Sequence, residues 1–166
     1  MIALVPETDP ILKIEPASWD FSDSNMNAEK FYDLMKEHMM YHQGLGLAAT
    51  QIGFPFKVFT MFVTEKDAVV CFNPEITKES DEKILMKEGC LSYPSLLLNI
   101  RRPKEVQVRY QLFTGDTVTA NFVELAARIF HHEMDHMKGK TFLDYVSNIQ
   151  LRQARRKQKL KTRKVK

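Results

Sequence analysis

Residues 121–139 have the sequence Asn-Phe-Val-Glu-Leu-Ala-Ala-Arg-Ile-Phe-His-His-Glu-Met-Asp-His-Met-Lys-Gly, and this stretch predicts one helix. Asn121 and Glu124 have the spacing of a capping box, which marks the start of a helix. Gly139 can adopt the left-handed conformation that ends a helix. Five residues recur at helical spacing, so they share one face that we expect to be buried: Phe122, Leu125, Ile129, His132 and His136.

Residues 132–136 of this helix have the pattern H-E-x-x-H. His132 and His136 stand one turn apart, where two imidazoles can bind the same metal ion, and Glu133 between them can move protons. The two histidines could instead be hydrogen-bonded core residues, because this short pattern also occurs by chance. The rest of the chain has to decide between these interpretations.

Length and composition predict a single soluble globular domain. The chain has 166 residues, of which 44% are hydrophobic and 27% charged, and this allows a substantial core without disulfides. No apolar run approaches the roughly 20 residues of a membrane-spanning helix, and the N-terminus lacks the pattern of a signal peptide. We therefore expect a cytoplasmic protein that does not bind membranes, and we expect it to be a monomer.

The two cysteines are too few for a disulfide framework and fit a reducing compartment. Cys71 lies in an apolar run, residues 68–72, where a thiol usually serves as a small buried hydrophobe. Cys90 lies in a glycine-punctuated stretch, residues 88–92, which is more typical of a site than of a core.

Basic residues are concentrated at the C-terminus. Residues 151–166 contain nine of the 24 Lys and Arg residues and none of the 21 acids, which leaves 15 basic and 21 acidic residues, a net charge of −6, in residues 1–150. Such a tail predicts binding to nucleic acid or another polyanion, and a frayed solubilising end is the alternative. The candidate partner-binding residues are Arg152, Arg155, Arg156, Lys157 and Lys159.

The remaining pattern predicts an α+β fold, with antiparallel strands around a central metal-binding helix and a basic C-terminal helix. An extended arm is expected in residues 1–24, followed by a helix from about Asn25 to Gly44 that packs His38 in its apolar face. We predict residues 1–147 as the catalytic domain and residues 148–166 as a basic tail, either helical or disordered. The predicted strands are residues 57–63, 68–76, 82–88, 96–101, 105–113 and 117–120.

Two histidines leave a catalytic metal one protein ligand short, since such sites usually have three and keep one position for water. Cys90 is the candidate third ligand. After Gly139 the sequence has no histidine and no glutamate, and its only acid is Asp144. A zinc peptidase would take a downstream glutamate or histidine instead.

Three segments, in the same order, resemble the peptide deformylase family. They are residues 44–51 (Gly-Leu-Gly-Leu-Ala-Ala-Thr-Gln), 88–92 (Glu-Gly-Cys-Leu-Ser) and 132–136 (His-Glu-Met-Asp-His). Residues 73–74 and 142–144 also match family landmarks, so the resemblance covers nearly the whole chain.

The resemblance implies a peptide deformylase, a metal-dependent hydrolase that removes the N-formyl group from the formylmethionine of newly made polypeptides. It also implies Cys90, His132 and His136 as ligands of one divalent ion, with Fe(II) the expected metal in the cell and Zn(II) or Ni(II) able to replace it. A thiolate and two neutral imidazoles leave the ion a net positive charge, which lowers the pKa of its water. Glu133 would accept that water's proton and pass it to the leaving amine.

The resemblance further assigns residues that contact the substrate. The Gln51 amide and the Leu91 backbone N–H would stabilise the oxyanion, and Gly46 would offer backbone hydrogen bonds to the peptide. Without the resemblance, Gln51 would be interpreted as a surface amide. The candidate substrate-pocket residues are Leu45, Met86, Glu88, Leu125 and Ile129.

Glu88 is predicted to pair with Arg102 and so to fix the loop that carries Cys90, with a solvated glutamate as the alternative. The sequence departs from the family at His131, where glutamine is usual, and at Leu97, where a polar residue often faces the substrate. His131 lies about 100° around the helix from His132, so we expect it behind the ligands and not as a fourth one. Leu97 bears on affinity for residues beyond methionine.

Two other functions stay open from the residues alone. An endopeptidase would need a carboxylate or histidine as its third ligand, whereas this chain offers a cysteine. A nucleic-acid-binding module with a structural metal would need a fourth Cys or His to close the site. Under the favoured interpretation, the basic tail holds the enzyme at the ribosome, where formylated chains emerge.

Overall fold

The computed structural model describes residues 2–164. This part of the chain contains three α-helices, seven strands and three short 3-10 helices. Side chains are described for residues 2–160, so the predictions for Met1, for residues 165–166 and for the side chains of 161–164 lie outside the described residues. The α-helices and strands are α1 (Ala28–Tyr41), β1 (Gly46–Ala48), β2 (Val58–Phe62), β3 (Ala68–Glu79), β4 (Lys83–Cys90), β5 (Tyr93–Pro103), β6 (Glu105–Gln111), β7 (Thr117–Val123), α2 (Glu124–His136) and α3 (Asn148–Lys164).

The strands form two antiparallel sheets. One has five strands in the order β1-β2-β3-β6-β7, and the other is the β4–β5 hairpin. In β6 the side chains of Val106, Val108 and Tyr110 are buried and those between them are exposed or half-buried, because successive residues of a strand face opposite sides. The expected mixture of helices with antiparallel sheet is thus present.

Helix α2 lies between the two sheets and contacts β1, β2, β6 and β7 on one side and β5 on the other. All of its residues from 127 to 136 are buried. The ring of Phe130 packs edge-on against Phe59 of β2, with centroids 5.1 Å apart. A helix enclosed in this way can support polar side chains in a setting where water has little access.

The predicted start of this helix is wrong. Asn121 is not a cap, because residues 121–123 continue strand β7 and pair with β6, and α2 begins at Glu124. Their backbone groups are used in the sheet and are unavailable to a helix. At the other end Gly139 has a φ of +63° three residues after His136, the left-handed conformation predicted for this residue.

Helix α1 also begins later than predicted, at Ala28, because the side chain of Asn27 accepts a hydrogen bond from the Lys30 N–H and caps it. His38 is packed in its buried face as predicted, with Nδ1 donating to the Leu34 carbonyl at 2.7 Å. The predicted burial of Cys71 is confirmed, and burial raises the pKa of its thiol.

Helix α3 packs along strand β5. Leu151 and Ala154 pack against a cluster that includes Tyr93, Leu98 and Phe142. The division into residues 1–147 and a separate tail stays a prediction. Among the described residues, none of the helices has the length and apolar character needed to cross a membrane.

Candidate metal centre

Cys90, His132 and His136 lie together, as predicted for the three candidate metal ligands. The cysteine sulfur and one ring nitrogen of each histidine all lie within 4.8 Å of one another. Cys90 Sγ is 3.6 Å from His136 Nε2. A sulfur with two imidazoles suits a divalent transition metal, so the donor set fits the ion that the sequence implies.

Local structure explains how residues from two elements meet here. The pairing of β4 with β5 shifts register between Glu88 and Cys90, and such a bulge redirects the side chains that follow it. On α2 the rings of His132 and His136 have centroids 5.6 Å apart, since residues four apart lie on one face. The hairpin therefore supplies the sulfur and the helix the two nitrogens.

Glu88 lies behind the ligands at the centre of a buried ion-pair network. It accepts hydrogen bonds from Arg102 Nε at 2.7 Å and Nη2 at 2.8 Å, so the predicted ion pair forms and the solvated alternative is wrong. Burial raises the pKa of Glu88, but the hydrogen bonds from Arg102 and His132 lower it to about 2. With His132 Nδ1 3.1 Å from Glu88 Oε2, the other nitrogen of that ring is left for an ion.

Three members of this network were missed from sequence. Arg128 Nη1 donates to Glu88 and, at 3.0 Å, to the Ile100 carbonyl. Asp135 pairs with Arg102 at 2.9 Å and accepts a hydrogen bond of 2.7 Å from the Tyr145 hydroxyl. One signal could have identified Arg128, because it lies one helical turn before His132 on the same face.

Glu133 is buried and has a different environment. It is 3% exposed, and its Oε2 has no hydrogen-bond partner among the described residues. Burial raises its pKa to about 7. A carboxyl that titrates near neutrality next to candidate metal ligands can accept and release a proton at physiological pH.

Gly46 of β1 lies directly against Glu133. A Cβ placed at this glycine would be 2.9 Å from Glu133 Cδ and 3.0 Å from Ile129 Cγ2. The contact explains why the residue carries no side chain: any larger residue would displace the carboxylate.

Gln51 is 1% exposed, so its interpretation as a surface amide is wrong. Its Oε1 accepts from the Ala48 N–H at 2.9 Å, which fixes the orientation of the amide. Its Nε2 then donates to Ser92 Oγ at 3.0 Å and to Cys90 Sγ at 3.4 Å. The amide N–H₂ group thus points at the cysteine of the site.

A cavity of about 550 Å³ opens over these groups, and we call it the substrate cavity. Leu45 and Leu125 line it and are about half exposed, and residues of β1, β4 and β5 also line it. Residues 87–90 of β4 line it and Met86 is not among them, so the place of Met86 in the substrate pocket stays a prediction. The site residues predicted from sequence that do line it are Leu45, Gly46, Gln51, Glu88, Cys90, Leu91, Leu125, Ile129, His132 and Glu133.

Two departures from the family pattern have distinct positions. His131 is buried behind the ligands, with Nδ1 3.7 Å from Glu79 Oε1, and burial lowers its pKa to about 4. It is not part of the ligand group. Leu97 lines the substrate cavity and is 47% exposed.

The two histidines of this group, His132 and His136, differ in their electrostatics. Burial lowers the pKa of His136 to about 3, which leaves the ring neutral as a ligand requires. Burial also lowers the pKa of His132, whereas hydrogen bonds with Cys90 and Glu88 raise it to about 10. A metal ion at the His132 ring would compete with that proton.

An α+β fold with a Cys-His-His group beside a buried glutamate is typical of a metal-dependent hydrolase. The sequence profile of the family described as polypeptide deformylase matches residues 1–152. The peptide deformylase of Bartonella henselae is 39% identical over 153 residues, which are 90% of this chain and 86% of that protein. The chain belongs to the polypeptide deformylase family and is a hydrolase that removes the N-formyl group from new polypeptides.

Solved structures show the same fold. The crystal structure of the peptide deformylase from Thermotoga maritima has a TM-score of 0.82 and 35% identity, covering 89% of this chain and 98% of that one. A class I type b peptide deformylase from Acinetobacter baumannii, bound to Met-Ala-Ser, has a TM-score of 0.80 and 30% identity, covering 88% of this chain and 98% of that one. The predicted mixture of helices and antiparallel sheet is therefore confirmed.

Proposed function

We propose that Cys90, His132 and His136 hold one divalent metal ion and that the surrounding residues hydrolyse the formyl group of formylmethionyl nascent peptides. The observation that carries this proposal is the approach of the three ligand atoms to within 4.8 Å beside the unpartnered carboxylate of Glu133. When bound, the ion polarises the formyl carbonyl and lowers the pKa of the attacking water. Fe(II) is the proposed metal in the cell, with Zn(II) or Ni(II) as substitutes, since thiolate and imidazole donors suit all three.

Glu133 moves the proton in this proposal. Its carboxylate accepts a proton as water attacks the formyl carbon, and it delivers that proton to the methionine nitrogen as the C–N bond breaks. The products are formate and a free amino terminus. Burial at 3% exposure and a pKa near 7 suit a group that has to act as base and then as acid at neutral pH.

Gln51 and Leu91 stabilise the oxyanion that forms on the formyl oxygen. The support for Gln51 is the fixed direction of its N–H₂ group, which is set by the hydrogen bond from the Ala48 N–H to Oε1. Leu91 follows Cys90 at the tip of the hairpin and lines the substrate cavity. Donors held in place before the charge develops cost no reorganisation during the reaction.

The substrate enters as an extended peptide with its methionine side chain in the cavity. Ile129 and Leu125 provide apolar surface, and the backbone of Gly46, which also lines the cavity, offers hydrogen bonds to the peptide. The Acinetobacter baumannii relative bound to Met-Ala-Ser supports a peptide occupant. Leu45 and Leu97, both partly exposed at the mouth, would contact the residue after methionine.

The deciding experiment uses anaerobically purified protein and formyl-Met-Ala, with formate as the measured product. We expect the parent chain to release formate and Glu133→Ala to lose at least about 10²-fold in rate. Metal analysis of both proteins serves as the control. Equal rates from the two proteins at equal metal content would contradict the role of Glu133.

We also propose that this enzyme works as a cytoplasmic monomer and that α3 holds it at the ribosome. Arg152, Arg156 and Lys157 are exposed on α3. Arg155 is less available, because it pairs with Glu7 at 3.0 Å. A chain truncated after Ser147 should sediment less with ribosomes at low salt, and unchanged sedimentation would contradict the proposal.

A further inference from the structure

A second cavity, of about 340 Å³, lies between the β4–β5 hairpin and helix α3. Lys87, Ser95 and Leu97 line both this cavity and the substrate cavity, so the two spaces adjoin along one edge of the hairpin. The remaining polar groups that line it are Asn99 of β5 and Gln150, Gln153, Lys157 and Gln158 of α3, and we call this space the hairpin–α3 groove.

The groove has the chemistry of a site for a polar, anionic chain. No acidic residue is among the described residues that line it. Lys87 and Lys157 form no ion pair within the described part of the chain, and the side chains of Asn99 and Gln153 form no hydrogen bond there. Two positive charges and two amides are therefore available to a ligand.

The wall formed by α3 is held in place. Gln158 Nε2 donates to the Pro94 carbonyl at 2.6 Å, at the corner where the groove meets the substrate cavity. Arg155 pairs with Glu7 at 3.0 Å and lies over the ring of Tyr93, 5.7 Å from its centroid. A groove that is formed before binding loses less entropy when a flexible peptide enters it.

Distances along β5 show how much peptide the groove would hold. Ser95 and Asn99 are four residues apart on this strand, which is at most roughly 13 Å at about 3.3 Å per residue, because Ser95 has a φ of +62° and is not fully extended. A polypeptide that leaves the substrate cavity past Leu97 in extended form would therefore need about four more residues to cross the groove.

We propose that the hairpin–α3 groove binds the segment of the formylated polypeptide that follows its first three residues, and that it favours acidic side chains there. The inference rests on the proposed function, because the peptide enters the groove from the substrate cavity. Lys87 and Lys157 select acidic residues by charge, and the amides of Asn99 and Gln153 hydrogen-bond to the peptide backbone. Both lysines are exposed, so the selectivity is modest and sensitive to salt.

The test compares three substrates: formyl-Met-Ala, formyl-Met-Ala-Ser followed by four glutamates, and the same tripeptide followed by four lysines. At low salt we expect kcat/KM for the glutamate peptide to exceed that for the lysine peptide by about fivefold or more. In Lys157→Glu the preference should fall to about one or reverse, while formyl-Met-Ala, which ends before the groove, stays within about twofold of the parent. Lys66→Glu, in the turn between β2 and β3, is the matched charge control and should keep the preference.

A binding measurement makes the test independent of turnover. Dye-labelled Met-Ala-Ser-Glu-Glu-Glu-Glu, which carries no formyl group, should bind Lys157→Glu and Gln153→Glu about fivefold more weakly than the parent by fluorescence anisotropy. Equal kcat/KM for the two long peptides, or equal loss of preference in Lys157→Glu and Lys66→Glu, would overturn the groove proposal while formyl-Met-Ala is still hydrolysed. Failure to release formate from every substrate would overturn the proposed function as well.

Discussion

Two of the buried carboxylates at helix α2, Glu88 and Glu133, have opposite environments. Glu88 is 6% exposed and contacts Arg102, Arg128 and His132, whereas Glu133 is 3% exposed and has one oxygen without a partner. Burial raises the pKa of both carboxyls. The partners of Glu88 nevertheless lower its pKa to about 2, whereas the pKa of Glu133 rises to about 7. The difference teaches that burial alone does not decide a carboxyl's charge. The side of α2 at Glu88, which we call the partnered side, supports the candidate metal ligands. The side at Glu133, the unpartnered or catalytic side, is free for chemistry.

The largest effect is expected from Glu133→Gln. The substitution keeps the shape of the side chain but removes its ability to exchange a proton, so the rate should fall by about 10³-fold. Stability should stay unchanged or rise slightly, because a buried group without a partner no longer has to carry charge at high pH. Formate release and thermal unfolding measured together test both halves of this prediction.

Glu29→Gln, on the exposed surface of α1, is the control for Glu133→Gln and should alter neither quantity. A Glu133→Gln variant that is strongly destabilised would mean that Glu133 belongs to the structural side of the comparison.

A substitution in the ion-pair network on the partnered side should lower the free energy of unfolding. Arg102→Met leaves Glu88 and Asp135 without the cation they share, so we expect a loss of about 3–5 kcal/mol in the free energy of unfolding. The adjacent Arg101 is exposed, and Arg101→Met should change stability by less than about 0.5 kcal/mol. Urea unfolding of the two variants measures the difference, and equal stabilities would show that the network contributes nothing.

Gln51→Leu tests the catalytic side with a smaller effect. Loss of its N–H₂ group should lower kcat by about 10²-fold with little change in KM, because the donor acts on charge that develops during the reaction. Thr50→Val is the matched control, since Thr50 is also buried and its hydroxyl has no partner among the described residues. A rise in KM with kcat unchanged would instead assign Gln51 to substrate binding.

Much of the fold follows from local sequence patterns. Alternating apolar residues located the strands, and the spacing of His132 and His136 placed both rings on one helix face. The start of α2 was misplaced because pairing with β6 overrides a local capping signal at Asn121. The assignment of Met86 to the pocket stays a prediction, because a strand pattern does not reveal where along the strand a cavity ends.

The chemistry of the candidate site was predictable from the sequence. The buried ion-pair network that supports it was less predictable. The three ligand residues come from motifs, whereas Arg128 looks like any charged residue on a helix until its contacts with Glu88 and the Ile100 carbonyl are known. Asp135 falls within the H-E-x-x-H pattern at a variable position, and its pairing with Arg102 joins distant segments. Long-range ion pairs of this kind leave no local signal in one sequence.

The smallest effect is expected from Tyr145→Phe. This substitution tests whether the outer part of the ion-pair network around Glu88 affects stability alone or also the reaction. The Tyr145 hydroxyl donates to Asp135 at 2.7 Å, and burial together with this hydrogen bond raises its pKa to about 12, so it stays a donor at neutral pH. Its loss should lower stability by about 1 kcal/mol, because Arg102 continues to pair with Asp135 at 2.9 Å. The rate of formate release should not change. A tenfold fall in rate with normal stability would place Tyr145 on the catalytic side of α2, and the division between a structural and a chemical side of this helix would then be wrong.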